Sequence, residues 1–150
     1  MEVAGNVVVV TGGANGIGRA LCETFHRAGA AKVVAADLDG DGAAKVVAGI
    51  DGAAFACDVS READIARVIE ETERTHGPIA LFCSNAGIGG GFDPAMENAG
   101  GAPDAAWAKS WAIHVMAHVH AARHLVPLKR ARGCVYFLNT ILSSLRVTPL

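Results

Sequence analysis

Tyrosine is almost missing from these 150 residues: Tyr136 is the single one, and no lysine follows Lys129. Cysteine is sparse and scattered. Cys22, Cys57, Cys83 and Cys134 form no C-x-x-C pair, which speaks against a zinc ribbon and against a disulfide framework. Three of the four fall on expected strands, so they read as reduced, buried thiols of a cytoplasmic protein. No apolar run reaches the length of a membrane span, and the start of the chain lacks the basic and apolar segments of a signal peptide. A formal net charge of −2 supplies no excess of positive charge for nucleic acid or an anionic membrane, so neither is expected as a partner. The 51 % of hydrophobic residues excludes a disordered chain, and residues 1–150 read as one domain with a real core.

What is present is concentrated near the start. Val7, Val8, Val9 and Val10 form a β-branched run that ends at Thr11, Gly12, Gly13, Ala14, Asn15, Gly16, Ile17 and Gly18. A strand apolar on both faces suits the centre of a parallel sheet. The glycines allow a sharp turn, and the helical pattern from Arg19 to His26 aims its first N–H groups back at that turn. Strand, glycine turn and helix N-terminus together form an anion site, most often for a pyrophosphate. An acidic residue about twenty positions on, at the end of the next strand, binds ribose hydroxyls in such sites. Asp37 follows Gly18 by nineteen positions and closes the strand-like run from Lys32.

The rest of the chain alternates strands and helices. Strands are expected over residues 6–11, 32–37, 53–57, 79–84 and 134–139. Helices are expected to residue 27 with Gly29 as C-cap, over 42–48, over 61–76 with Ser60 as N-cap, and from residue 104 until it frays past Pro127. The last of these carries Trp107, Trp111, Val115 and Val119. A glycine-rich segment, residues 87–103, separates it from the fourth strand. The class is α/β: a Rossmann-like, doubly wound parallel sheet of about five strands in three α/β/α layers.

The spacing Thr11-Gly12-x-x-x-Gly16-x-Gly18 resembles the cofactor loop of the short-chain dehydrogenase/reductase family, T-G-x-x-x-G-x-G. Two further motifs match in order: Asp58-Val59 after the third strand, and Asn85-Ala86-Gly87 after the fourth. The resemblance covers residues 5–140 and implies a dinucleotide cofactor held by Gly12, Ala14, Asn15, Gly16, Ile17, Gly18, Asp37, Leu38, Asp58, Val59, Asn85, Ala86 and Gly87. A carboxylate at Asp37, followed by Leu38 rather than a basic residue, accepts ribose hydroxyls and repels a 2′-phosphate, so NAD is expected over NADP. The implied reaction is hydride transfer between NAD and a small alcohol or ketone.

The catalytic part of the family pattern is altered. The family donates a proton from a Tyr in Y-x-x-x-K; here Thr140 stands four residues after Tyr136, which lies inside the fifth strand. His114 occupies the place of the family's Asn, where it could still hydrogen-bond a backbone carbonyl. Leu142 occupies that of its Ser, leaving Ser143 as a candidate shifted by one residue, or as a plain loop serine. Three readings follow: a catalytically silent NAD-binding module, an oxidoreductase completed by another chain or by a longer product, and a decayed remnant of such an enzyme. A homo-oligomer is also compatible, since the helix from residue 104 often packs at dimer interfaces in the family.

His114, His118, His120 and His124 invite a metal reading, because each pair is spaced i, i+4. At about 100° per residue the two pairs point to nearly opposite faces, so no metal site is expected. Lys129, Arg130 and Arg132 read as cations at a helix C-terminus.

Overall fold

The computed structural model describes residues 2–89, 102–132 and 136–139. Five parallel strands, β1 (Val7–Thr11), β2 (Lys32–Asp37), β3 (Ala53–Ala56), β4 (Ile79–Ser84) and β5 (Tyr136–Asn139), form one sheet in the order β3-β2-β1-β4-β5. The helices are α1 (Gly16–Arg27), α2 (Gly40–Ala48), α3 (Glu62–His76), α4 (Asp104–Trp111) and α5 (Ala117–Arg132), with one π-helical turn, Ala112–Met116, joining the last two. Every residue of β1 is buried, as a β-branched central strand requires.

Alternation along the strands sends side chains to two cores. Val8, Val10, Val33, Ala35, Leu81 and Cys83 pack beneath α1 and α2 with Cys22, Ala43 and Val47. Val9, Val34, Ala36 and Phe82 face the other way, onto Ile65, Val68 and Ile69 of α3 and Ala117, Ala121 and Leu125 of α5. Strand period two and helix period 3.6 thus agree on both sides, and three layers result. Strand order reverses direction at β1, between β2 and β4. In open parallel sheets that switch point, at the carboxyl ends of the strands, opens a crevice.

Several boundaries differ from expectation for local reasons. Helix α3 begins after Arg61, not Ser60, and Arg61 makes no capping bond through its side chain. Ser60 is used otherwise: its N–H and hydroxyl both donate to Asp58 Oδ1, at 3.0 and 2.6 Å, while Asp64 Oδ2 accepts the Asp58 N–H at 3.0 Å. Helix α2 starts two residues early, at Gly40, because Asp39 caps it by accepting the Gly42 N–H at 2.9 Å. Helix α5 runs through Pro127 to Arg132 rather than fraying there; Leu125 in the core and Leu128 packed against it continue the buried face on either side of the proline. Gly29 ends α1 with φ of +82°, one residue past the C-cap Ala28. Trp107 and Trp111 are 56 % and 61 % exposed, and Ile113 rather than they meets the core.

The three cysteines that can be described, Cys22, Cys57 and Cys83, are free and buried. Burial pushes their thiols up, to about 11 for Cys22 and about 12 for Cys57 and Cys83, so they are inert as nucleophiles. Cys134 and Ser143 lie outside the described residues. No helix among the described residues is long and apolar enough to cross a membrane.

Candidate functional site

A cleft of about 450 Å³ opens at the carboxyl ends of β1, β2 and β4. The glycine turn forms one wall. Gly12 has φ of +69° and Gly16 +53°, left-handed values that glycine adopts without a Cβ penalty. Space makes a second demand at Gly12 and Gly18. A Cβ on Gly12 would stand 2.9 Å from Ala86 Cα, and one on Gly18 would collide with the Gly12 carbonyl. A Cβ on Gly16, by contrast, would meet nothing within 4 Å, so there the demand for glycine comes from φ alone.

The turn is tied to β2. Gly12 N–H donates to the Ala36 carbonyl at 2.8 Å, and Ala14 N–H to Asp37 Oδ2 at 2.9 Å. Asp37 Oδ1 accepts the Asp39 N–H at 3.0 Å. Each carboxylate oxygen has more than one acceptor position, so both retain capacity on the cleft side. Ala14 is the one expected cofactor residue that does not line the cleft; its N–H is consumed by Asp37. Helix α1 presents its N-terminus here. Asn15 sits at the cap position, but its side chain makes no capping bond, and the first turn contains no acid.

Thr11, 2 % exposed, links this wall to the opposite one. Its hydroxyl oxygen accepts the N–H groups of Asn85 and Ala86 at 2.9 and 3.0 Å, while Asn85 Nδ2 donates to the Thr11 carbonyl at 3.0 Å. Gly87, Ile88 and Gly89 continue the opposite wall, and Asp58, Val59 and the exposed Leu38 complete the rim beside β2 and β3. Four lining residues were not anticipated: Cys57, Ile88, Gly89 and Ile113. The first three adjoin motifs already recognised, Asp58-Val59 and Asn85-Ala86-Gly87. Ile113 had no local signal, because a π-turn brings it to the cleft.

That turn also carries His114. Its Nε2 accepts the Ile88 N–H at 3.1 Å, and its Nδ1 lies 3.0 Å from Ser110 Oγ. His114 therefore bonds a backbone N–H, not the carbonyl expected of it. One helical turn on, His118 Nδ1 meets Ser84 Oγ at 2.6 Å. Burial first, and His114 second, hold the His118 imidazole below the usual histidine range. The other histidine pair faces α3: His120 Nε2 and His124 Nε2 lie 3.6 and 3.5 Å from the Glu62 carboxylate, which Arg123 also pairs with at 2.8 Å. The two pairs thus have separate partners, and no cluster able to hold a metal occurs among the described residues.

A parallel sheet of this order, with a glycine turn and an acid at the ends of adjacent strands, defines a dinucleotide-fold protein. The chain belongs to the short chain dehydrogenase family, whose model matches residues 6–145. It is 34 % identical over 150 residues to "Short chain aldehyde dehydrogenase 1" of Euphorbia lathyris, covering 93 % of this chain and 49 % of that protein. A shorter match, 74 % identical over 42 residues, is to "Fluoren-9-ol dehydrogenase" of Terrabacter sp., with 28 % of this chain and 12 % of that one. Among solved structures, the 3-ketoacyl-(acyl-carrier-protein) reductase of Brucella melitensis, complexed with NADH, superposes with a TM-score of 0.82 at 29 % identity, over 91 % of this chain and 57 % of that one. The chain spans about half the length of the first of these relatives.

Proposed function

We propose that these residues form the dinucleotide-binding half of an NAD-dependent oxidoreductase acting on an alcohol or ketone. Asp37 carries the reading. Its carboxylate lines the cleft where a ribose would lie, and among the described residues no lysine or arginine lines that cleft to offset a 2′-phosphate. The uncapped start of α1 suits a diphosphate, which the helix dipole favours. Gly12 and Gly18 let the turn pack tightly against Ala86 and the start of α1 beneath it. The nicotinamide of the bound cofactor supplies hydride chemistry. Asn85, Ala86 and Gly87 line the β4 wall of the cleft and would hold that ring. A carbinol or carbonyl carbon beside it would be the reacting centre, consistent with the dehydrogenase and reductase names of the relatives.

The chemistry of proton transfer points to a second reading for these 150 residues on their own. They contain no Tyr-x-x-x-Lys, and a positioned acid or base contributes typically ~10²–10⁴-fold. The 150-residue chain then binds NAD without turning it over, with Ser143 taking no part in catalysis. The domain assignment, residues 1–150 as a single dinucleotide-binding unit, belongs to the same proposal.

A thermal melt with and without cofactor tests it. At a hundredfold excess over Kd, ligand adds ~2.7 kcal/mol, a rise of roughly 5–10 °C for a domain of this size. NAD raising Tm and NADP leaving it unchanged is the expected result. An equal or larger response to NADP overturns the selection by Asp37, and no response to either overturns the binding reading.

A further inference from the structure

Asp58 is held at three of its polar groups. Its N–H donates to Asp64 Oδ2 at 3.0 Å, and its carbonyl accepts the Arg61 N–H at 2.9 Å. Its Oδ1 accepts both the N–H and the hydroxyl of Ser60, at 3.0 and 2.6 Å. A carboxylate oxygen offers about two acceptor positions, so Ser60 fills Oδ1. Backbone and side chain are fixed together, and Oδ2 is the oxygen left to accept: among the described residues it takes no hydrogen bond. Asp58 lines the cleft beside Leu38 and Val59, and the β2–β3 register sets Asp37 opposite Ala56, two residues before it. An oxygen that can only accept, held in place on a wall of the cleft, selects a ligand group that donates.

We propose that Ser60 is a positioning residue: by occupying Oδ1 it turns Asp58 Oδ2 to the cleft, where it accepts from the exocyclic amino group of the cofactor's purine. This role rests on the NAD reading of the cleft, with Asp37 at the ribose, and adds to it how the base is chosen. Adenine carries an amino donor at its 6-position. Hypoxanthine carries a carbonyl oxygen there, which would set one acceptor against another. The same lock makes a converse demand. Both Ser60 groups are donors, so an Asp58→Asn side chain must give them its amide oxygen and present its amide N–H groups to the cleft, which suits the hypoxanthine carbonyl.

Calorimetric titration of the 150-residue chain with NAD and with nicotinamide hypoxanthine dinucleotide reads the ratio of the two affinities. The wild type is expected to favour NAD about 10-fold, the worth of a hydrogen bond to a charged group. Ser60→Ala keeps only the backbone donor and should lower that ratio to about 2- to 3-fold; Ser60→Thr, which restores a hydroxyl, should return it. A general loss of structure would weaken both ligands alike and leave the ratio unmoved. Asp58→Asn should reverse the preference, and it decides the matter if Ser60→Ala fails to fold. Equal affinity of the wild type for both dinucleotides, a ratio unchanged in Ser60→Ala, or an Asp58→Asn chain that still favours NAD overturns the positioning role and leaves the NAD reading standing. Binding of neither dinucleotide by the wild type overturns the NAD reading and this role with it.

Discussion

Two helix N-termini lie side by side at the same edge of the sheet, and they are finished in opposite ways. Helix α2 is closed: Asp39 accepts the Gly42 N–H, and Asp41 adds a second negative charge to the first turn. Helix α1 is left open: Asn15 makes no capping bond through its side chain, and no acid follows in the first turn. An N-terminus leaves its first N–H groups unsatisfied unless something caps them. At α2 the protein supplies the anion itself, and stability results. At α1 it withholds one, and on the proposed function a ligand carrying negative charge would gain what the cap would have given. The neighbouring pair would then separate structural from ligand-directed use of one backbone feature.

The comparison breaks most completely at Gly18. Gly18→Ala drives a methyl into the Gly12 carbonyl and toward Asn85 Nδ2 at 2.9 Å. We expect a stability loss of about 1–3 kcal/mol by denaturant unfolding and no NAD-induced rise in Tm. Next, Asp37→Ala removes the acceptor for Ala14 N–H as well as for the ribose. Calorimetric titration should record NAD affinity lowered about 10- to 100-fold, the worth of a charge-assisted hydrogen bond, with discrimination against NADP lost. Asp39→Ala opens α2 as α1 is open. It should cost about 1 kcal/mol of stability while NAD affinity stays at the wild-type value; a matching loss of affinity would erase the distinction between the two ends. The smallest change sharpens it: Asn15→Asp closes α1 as α2 is closed. The free chain should gain about 0.3–1 kcal/mol and NAD binding should weaken about 2- to 5-fold, two effects of opposite sign from one substitution.

The legible parts of this molecule were the local ones. Thr11 to Gly18 spell strand, turn and helix start within eight residues, and Asp37 is placed by the length of a single crossover. Twelve of the thirteen expected cofactor residues line one cleft; Ala14 does not, because whether its N–H faces outward or toward Asp37 is set by the β1–β2 pairing. What escaped was set by contacts far apart in sequence. His114 finds Ile88 across 26 residues, and Arg123 finds Glu62 across 61; neither distance leaves a mark in a composition or a period. The π-turn after Trp111 also left no mark in the sequence, because a regular 3.6-residue period runs on without one. The turn shifts the buried face to Ile113, Ala117 and Ala121 and leaves both indoles in solvent. Ser60 failed as a cap because Asp58, two residues earlier, competes for its hydroxyl.

Thr11 has one more consequence. A single buried hydroxyl accepts the amides of Asn85 and Ala86 and donates to the Cys83 carbonyl at 3.4 Å, at the join of the two innermost strands. Those two amides are held by one side chain rather than by a strand partner, so both are freed when that hydroxyl lets go, and they are expected to exchange their hydrogens with solvent together. The two walls of the cleft would then share one clock at their base, kept by the Thr11 hydroxyl.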